Sequence, residues 1–317
     1  VETRLKRADM LLEQLNHALR TGEWWVSAWW QDSRYFESEH LDRGEVEQAF
    51  CELQQVFDRE WFLDQTASRP ASPSKHPVAS LLLAEGLYPF HNRVSLGRAL
   101  SVVRERNLLD TKLITSLRHP DQCPGAHFEL EMLAHLLGRG FTVVRHPENA
   151  RGRRADFRVT MGSEEIVFEL NQRTAEFPYH LALKNLRLYE NAKLESVSQI
   201  FTCEGILEPN QAAQKKESKR VFRLIKDKIK QLPAEKPGII LFQPTLFLNF
   251  SSLQQAISRY GQSHKHFLGA ILISPHFSEG AIRFSLGPLP NDHAQQEMRD
   301  FLAVREILRL GSNRNGY

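Results

Sequence analysis

The sequence has only three cysteines, and they lie far apart. Cys51, Cys123 and Cys203 form no CxxC pair, which excludes a disulfide framework and a zinc ribbon. No run of about 18 uncharged apolar residues occurs, and the first residues are rich in charge, so we expect neither a membrane span nor a secretory signal. These absences predict a soluble protein of the reducing cytoplasm, with no membrane among its partners.

Several common catalytic motifs are missing as well. The strings GxxxxGK[ST], GxGxxG and GxSxG do not occur, so ATP-driven motors, Rossmann dehydrogenases and serine hydrolases lack support. The 13 histidines include close pairs, such as His264 with His266, but none of these pairs has HExxH or zinc-finger spacing. A histidine-based zinc site is therefore not expected.

The length and the charge distribution together predict two domains. The chain has 317 residues, of which 41% are hydrophobic and 25% charged, as in ordinary globular proteins. Residues 1–120 contain 15 Lys and Arg against 17 Asp and Glu, whereas residues 121–317 contain 26 against 21. The C-terminal part therefore carries the basic excess.

Residues 1–120 are predicted to form a helical domain with a loop or linker at 66–77. Apolar residues recur there at three- and four-residue spacing, and Ser95 is a plausible N-cap. All five tryptophans occur in the first 61 residues. For the segment WWVSAWW we favour packing in a helical core over stacking on nucleic-acid bases. The prolines and glycine of HPDQCPG mark the domain boundary.

Residues 121–317 are predicted to form an α/β (α+β) domain with a mixed sheet flanked by helices. The patterns follow the order helix, three strands, helix, strand, helix, strand. Two of the strands, ADFRVT and EIVFEL, flank a two-residue Gly162-Ser163 loop, and Gly is preferred at the first position of a type II′ turn. The pattern therefore indicates a β-hairpin.

The register of this hairpin places two carboxylates opposite each other. A two-residue loop pairs Phe157 with Phe168, so that Asp156 faces Glu169. Directly opposite residues have Cβ atoms about 5 Å apart, and like charges at that distance are destabilising unless something compensates. A divalent cation such as Mg²⁺, which prefers oxygen ligands, would compensate them.

These features resemble the PD-(D/E)xK nuclease superfamily, which has the restriction-endonuclease-like fold. The resemblance covers residues 124–275 approximately and follows the family's order of elements. It rests on Glu129 of the first helix, Asp156 of the second strand, and the run Glu169-Leu170-Asn171 of the third. It implies hydrolysis of nucleic-acid phosphodiester bonds, DNA more than RNA, by a Mg²⁺- or Mn²⁺-dependent endonuclease, with a role such as prokaryotic defence.

The resemblance also implies roles for these residues. Asp156, Glu169, the Leu170 carbonyl and Glu129 would hold the metal, and Glu129, Asp156, Glu169 and Asn171 would form the catalytic set. Glu131 competes with Glu129 for the helix position, and the FEL pattern favours Glu129.

One position departs from the family pattern. Asn171 stands where the family's third motif has Lys, and Asn can orient a water molecule but brings no charge. The residues that remain open as substitutes are Arg154, Arg173, Lys184 and Lys219. The alternative function is a catalytically inactive module on the nuclease fold that binds nucleic acid or a protein partner.

Simpler structural interpretations exist for each of these features. Asp156 and Glu169 could be a solvated cross-strand pair balanced by Arg154, Arg158 or Arg173, and Asn171 could be a polar surface residue.

Two basic runs are candidates for nucleic-acid binding, although the second could be a solvated helix face. They comprise Arg151, Arg153 and Arg154, and then Lys215, Lys216, Lys219, Arg220 and Arg223. The helical domain is expected to select the target or to mediate assembly, through a homodimer or a protein partner.

Overall fold

The chain divides into two compact units. A computed structural model describes residue 13 and residues 16–25, 42–67, 76–84, 87–147, 155–172, 211–243, 250–278 and 281–294. The first unit comprises residues 1–135, 175–181 and 277–282, and the second comprises 136–174, 182–276 and 283–317. The chain thus leaves the first unit after His135, whereas the predicted boundary falls at residue 120. Over the ranges described, no helix has the length and apolarity needed to cross a membrane.

Six helices lie between residues 43 and 138. They are α1 (Arg43–Val56), α2 (Arg59–Ala67), α3 (Pro77–Leu83), α4 (Leu87–Glu105), α5 (Thr111–Arg118) and α6 (Cys123–Gly138). The predicted loop at 66–77 overlaps the ends of α2 and α3, and residues 68–75 lie outside the described ranges. The Ser95 N-cap prediction was wrong, because α4 begins at Leu87. Pro89 lies in the first turn, where a helix tolerates proline.

The helices of the first unit pack closely around a core. Gly97 of α4 lies against the backbone of Ala49 in α1, where an added Cβ would overlap the carbonyl group. Trp24 is fully buried, and its Nε1 donates to the Phe57 carbonyl at 2.8 Å. The core interpretation is confirmed for Trp24, while Trp29 and Trp30 lie outside the described residues.

The sheet of the protein is mixed and has the strand order β1-β2-β3-β4-β5-β6. The strands are β1 (Thr142–Arg145), β2 (Phe157–Met161), β3 (Glu164–Gln172), β4 (Gly238–Gln243), β5 (Phe267–Ser278) and β6 (Ala281–Pro290). β1, β2 and β3 pair antiparallel, whereas β3, β4 and β5 pair parallel. This confirms a mixed α/β architecture, although the sequence patterns did not predict β6.

The predicted hairpin register is confirmed. Phe157 pairs with Phe168 and Val159 with Ile166. Gly162 has a φ of 63° at the turn, a conformation that costs glycine little and other residues more. The turn therefore fixes which residues of β2 and β3 share a face.

Two helices of the second unit cover one face of the sheet. They are α7 (Gln211–Ile229) and α8 (Phe250–Gly261). Their apolar residues form one buried cluster with the sheet, which includes Val221, Ile225 and Ile229 of α7, Leu253, Ala256 and Ile257 of α8, Val167 of β3, and Ile240 and Phe242 of β4. Burial of this apolar surface holds α7 directly over β3 and β4.

A short connection ties the C-terminal end of α7 to the strand β3. The chain turns through Pro233 and enters β4 at Gly238, which pairs with Val167. The Val167 N–H donates to the Pro237 carbonyl at 2.9 Å. Gly238 leaves room for Leu232, whose side chain would clash with an added Cβ. The last turn of α7 is therefore held close to the middle of β3.

We expect Gly162→Ala to lower the free energy of unfolding by about 1–2 kcal/mol, because alanine is strained at this positive φ. Urea unfolding followed by circular dichroism measures the change. The neighbouring Ser163→Ala is the control, since Ser163 is exposed, and should shift stability by less than about 0.5 kcal/mol. Equal stability of Gly162→Ala and wild type would contradict the turn assignment.

Candidate active site

Asp156 lies immediately before β2 and is half-buried. Its Oδ2 accepts a hydrogen bond from the Leu170 N–H at 2.7 Å, and its backbone carbonyl accepts one from the His146 N–H at 2.8 Å. These two contacts fix the side chain against β3, beside Glu169. The structure therefore brings Asp156 and Glu169 together, as the hairpin register predicts.

Glu169 is almost completely buried, with its side chain 1% exposed. It shares a face of β3 with Val167 and Asn171, because side chains alternate along a strand. This is the face that α7 covers. Lys228, near the C-terminal end of α7, donates from Nζ to Glu169 Oε1 at 2.5 Å. With its amide nitrogen toward the carboxylate, Gln231 donates to Oε2 at 3.1 Å.

Burial raises the pKa of Glu169 to about 8, and the negative charge of Asp156 and a hydrogen bond to it act in the same direction. Lys228 opposes both effects by stabilising the carboxylate. The pKa of Glu169 is thus raised above its ordinary value, which favours the protonated form, and the side-chain hydrogen bond to Asp156 favours the same form. A buried carboxyl group with a strongly raised pKa beside a second acidic residue is typical of functional sites.

The solvated-pair interpretation is wrong for Glu169. This residue is buried, and its cationic partner is Lys228. Arg158 instead approaches Glu165, with Nε 3.7 Å from Oε1. Arg154 and Arg173 lie outside the described residues.

Asn171 is also buried, so its interpretation as a surface residue is wrong. The residue is 9% exposed, and its Nδ2 has no hydrogen-bond partner within the described part of the chain. An unsatisfied buried donor costs about 1–3 kcal/mol. The amide therefore offers a hydrogen-bond donor on the same strand face as Glu169.

Lys228 is the site residue that sequence reasoning missed. Of the four residues open as substitutes for the motif Lys, Lys219 is exposed, while Arg154, Arg173 and Lys184 lie outside the described residues. The signal was present in the helical periodicity. At about 100° per residue, Lys228 borders the apolar stripe of α7, whereas Lys219 lies on the opposite side of the helix.

The predicted helix residue Glu129 lies in the first unit, whereas Asp156 and Glu169 lie in the second. Glu129 is half-buried on α6, and its place in the site stays a prediction. Its competitor Glu131 is buried, with Oε1 3.6 Å from His127 Nε2. Burial raises the pKa of Glu131 to about 8 and lowers that of His127 to about 3, so both are uncharged at neutral pH.

The cluster offers oxygen ligands but few of them. Among the ranges that the structure describes, no group of three or more His, Cys, Asp or Glu could hold a metal ion. Asp156 and Glu169 supply two carboxyl groups, and the backbone N–H of Leu170 donates to Asp156. Mg²⁺ is commonly bound through one or two carboxylates, with water and substrate phosphate completing its shell. The two carboxyl groups are thus of the ligand type that Mg²⁺ takes, while both carboxyl oxygens of Glu169 already contact Lys228 and Gln231.

The predicted nucleic-acid-binding residues are only partly described. Lys219, Arg220 and Arg223 are exposed on α7. Lys215 and Lys216 belong to the same helix. Arg151, Arg153 and Arg154 lie outside the described residues.

No family model, curated protein or solved structure gives a significant match to this chain. The superfamily resemblance therefore rests on the residues of the hairpin and on the order of the elements.

We expect Glu169→Gln to change how stability depends on pH. The pKa of Glu169 is raised from 4.5 to about 8 in the folded state, so its stabilising effect is full below about pH 4.5 and is lost as pH rises toward 8. The free energy of unfolding of Glu169→Gln relative to wild type should therefore increase between these values, by at most about 1.4 kcal/mol per pH unit. Urea unfolding at a series of pH values measures it.

Glu235→Gln is the control for this measurement, because Glu235 is exposed and the substitution removes the same charge. Its stability should run parallel to that of wild type across the range. A difference between Glu169→Gln and wild type that stays constant from about pH 4.5 to 8 would show that Glu169 is ionised throughout and that Lys228 dominates its pKa.

Proposed function

We propose that this protein is a metal-dependent nuclease and that Asp156, Glu169 and Lys228 form its active centre. The observation that carries the proposal is the contact of Lys228 with Glu169 beside Asp156. Lys228 supplies, from α7, the positive charge that Asn171 lacks at the position of the family's motif lysine. Two acidic groups and one lysine are the set that the superfamily resemblance implies, here drawn from two strands and a helix.

The proposal includes a restriction-endonuclease-like fold for the second unit and an all-α domain before it. Its support is a mixed sheet in which an antiparallel hairpin precedes a parallel β3–β4 pair, with α7 between those two strands in the chain. Fold alone does not determine function, so the proposal depends on the chemistry of the site.

Each side chain of the site would have a separate role in phosphodiester hydrolysis. Asp156 and Glu169 would hold Mg²⁺ or Mn²⁺, which lowers the pKa of bound water and stabilises charge on the phosphate. To hold a cation, Glu169 would have to be ionised, with its proton released to solvent. Lys228 stabilises the negative charge that develops on the phosphate. Asn171 donates from Nδ2 to orient the attacking water.

One observation favours the inactive module as a second candidate. The carboxyl group of Glu169 is buried and already contacts Lys228 and Gln231. A closed cluster of this kind could stabilise the packing of α7 on β3 without catalysis. On that interpretation the fold would bind nucleic acid or a protein partner and cut nothing.

We expect Lys228→Met and Asp156→Asn each to lower the rate of Mg²⁺-dependent DNA cleavage by about 10²–10³-fold, because each removes charge that stabilises the transition state. Lys228→Arg keeps the charge and should retain part of the rate. Cleavage of plasmid, linear and single-stranded DNA and of RNA, with Mg²⁺ or Mn²⁺, measures it.

The matched control is Lys265→Met, because Lys265 is an exposed lysine outside the site. It should cleave at the wild-type rate. If wild type cuts no substrate, or if Asp156→Asn cuts at the wild-type rate, the nuclease proposal is wrong. The first outcome, with nucleic-acid binding intact, would favour the inactive module.

We also expect Mg²⁺ to raise the melting temperature of wild type. A ligand that binds only the folded state adds about 2.7 kcal/mol at 100 times its Kd. EDTA should reverse the shift, and Asp156→Asn should abolish it. Sodium chloride of equal ionic strength controls for charge screening. An equal shift in Asp156→Asn would place the cation elsewhere.

A further inference from the structure

The exposed side of α7 carries a straight row of positive charges. The row consists of Lys219, Arg223, Lys226 and Lys230, all exposed, and we call it the basic stripe. Their spacing of four, three and four residues places them within about 60° of one another around the helix. With a rise of 1.5 Å per residue, the row is about 16 Å long.

Three of the four cations of the basic stripe lack an ion-pair partner among the described residues. Within the part of the chain that the structure describes, no carboxylate pairs with Lys219, Arg223 or Lys226. Lys230 reaches Asp227 at 3.5 Å, and both side chains are largely exposed. Like charges three and four residues apart destabilise a helix. A bound polyanion would remove that repulsion.

The basic stripe lies on the opposite side of α7 from the candidate active centre. Lys228 points toward Glu169, and it lies about 180° around the helix from Lys219. The basic stripe is therefore not the wall of the active centre. A ligand on it would be held outside the site where chemistry is proposed.

The surroundings of the basic stripe indicate which polyanion fits. The nearby rings of Phe222 and Tyr260 pack edge to face with centroids 6.4 Å apart, and the Arg259 guanidinium lies 6.0 Å from the Phe222 centroid. Both rings are partly buried and pack against the core, so only part of each ring is open to a base. Near the basic stripe the described residues thus offer more exposed charge than aromatic surface, which favours a ligand recognised by its phosphates over a single strand recognised by stacking.

The same helix does not suit a membrane surface. Its apolar residues Val221, Ile225 and Ile229 are buried against the sheet, so over residues 218–229, where its side chains are described, α7 presents no apolar face to insert among lipids. A duplex, by contrast, presents a dense and regular row of phosphates that needs only charge for recognition.

We propose that the basic stripe is an exosite that binds the phosphate backbone of duplex DNA, independently of sequence. It goes beyond the proposed nuclease by assigning DNA binding to a surface separate from the active centre, and it rests on that function only in naming DNA as the ligand. A duplex held there would be tethered while another segment enters the active centre.

The test measures binding of a short fluorescent DNA duplex by anisotropy, in EDTA and over a range of salt concentrations. In the triple variant Lys219→Gln, Arg223→Gln and Lys226→Gln, affinity should fall about tenfold or more. The slope of log affinity against log salt should fall by about 3, because three phosphates are no longer neutralised by a cationic side chain. Circular dichroism checks that the variant remains folded.

The matched control is the triple variant Arg106→Gln, Lys112→Gln and Lys265→Gln, which removes the same charge from other exposed positions. It should bind the duplex as wild type does. If both triple variants lose the same affinity for the duplex, the loss reflects net charge alone and the proposal is wrong. So would wild type that fails to bind duplex, or that binds a matched single strand or phosphatidylserine vesicles more tightly through the basic stripe.

Measurement in EDTA separates the exosite from the active centre. Asp156→Asn should bind the duplex as wild type does, because it leaves the basic stripe unchanged. Absence of Mg²⁺-dependent cutting with intact duplex binding would refute the nuclease and retain the exosite. Mg²⁺-dependent cutting by wild type, with duplex binding unchanged in the triple variant of the basic stripe, would support the nuclease and refute the exosite.

Discussion

The contact between Lys228 and Glu169 is the constraint on which the candidate site depends. A carboxyl group that is 1% exposed must be neutralised or paired, since burial of an isolated charge is prohibitive. Here the ammonium group of Lys228 provides the pairing, and the raised pKa of Glu169 favours neutralisation by a proton. Lys228 reaches Glu169 because the apolar packing of α7 and the connection through Pro233 to Gly238 together hold the end of α7 over β3. Pairing of the buried Glu169 carboxyl group thus requires the helix packing, the hairpin register and the side-chain charges together.

The hairpin could be predicted from the sequence because its determinants are local. Alternating apolar residues and the Gly162 turn fix the register between Phe157 and Phe168 without reference to the rest of the chain. The positions of Lys228 and Asn171 are different in kind. They depend on α7 crossing the face of β3, a contact between segments far apart in the sequence. Hairpin reasoning shows that this face carries the two acidic residues, but it gives no indication that a helix buries Glu169 and Asn171.

Residue type alone also obscures the division within α7. Lys219 and Lys228 belong to one basic helix and count equally toward its charge, yet one is exposed and the other contacts a buried acid. The two lysines are distinguished by their angular positions around the helix axis relative to the buried residues Val221, Ile225 and Ile229. A charge count therefore predicted a basic helix correctly but could not show that its cations serve two opposite surfaces.

On the proposed function, the exchange of roles between Asn171 and Lys228 follows from charge balance. Position 171 shares the face of β3 that carries Glu169, so a lysine there would add a second buried cation beside Lys228. With Asn171, two carboxyl groups face one ammonium group, and a single negative charge remains when both acids ionise. That net negative charge favours binding of a cation, whereas the positive charge of a second lysine would cancel it. The Asn171 amide, whose Nδ2 has no partner among the described residues, can then orient a water molecule by hydrogen bonding without changing the net charge of the site.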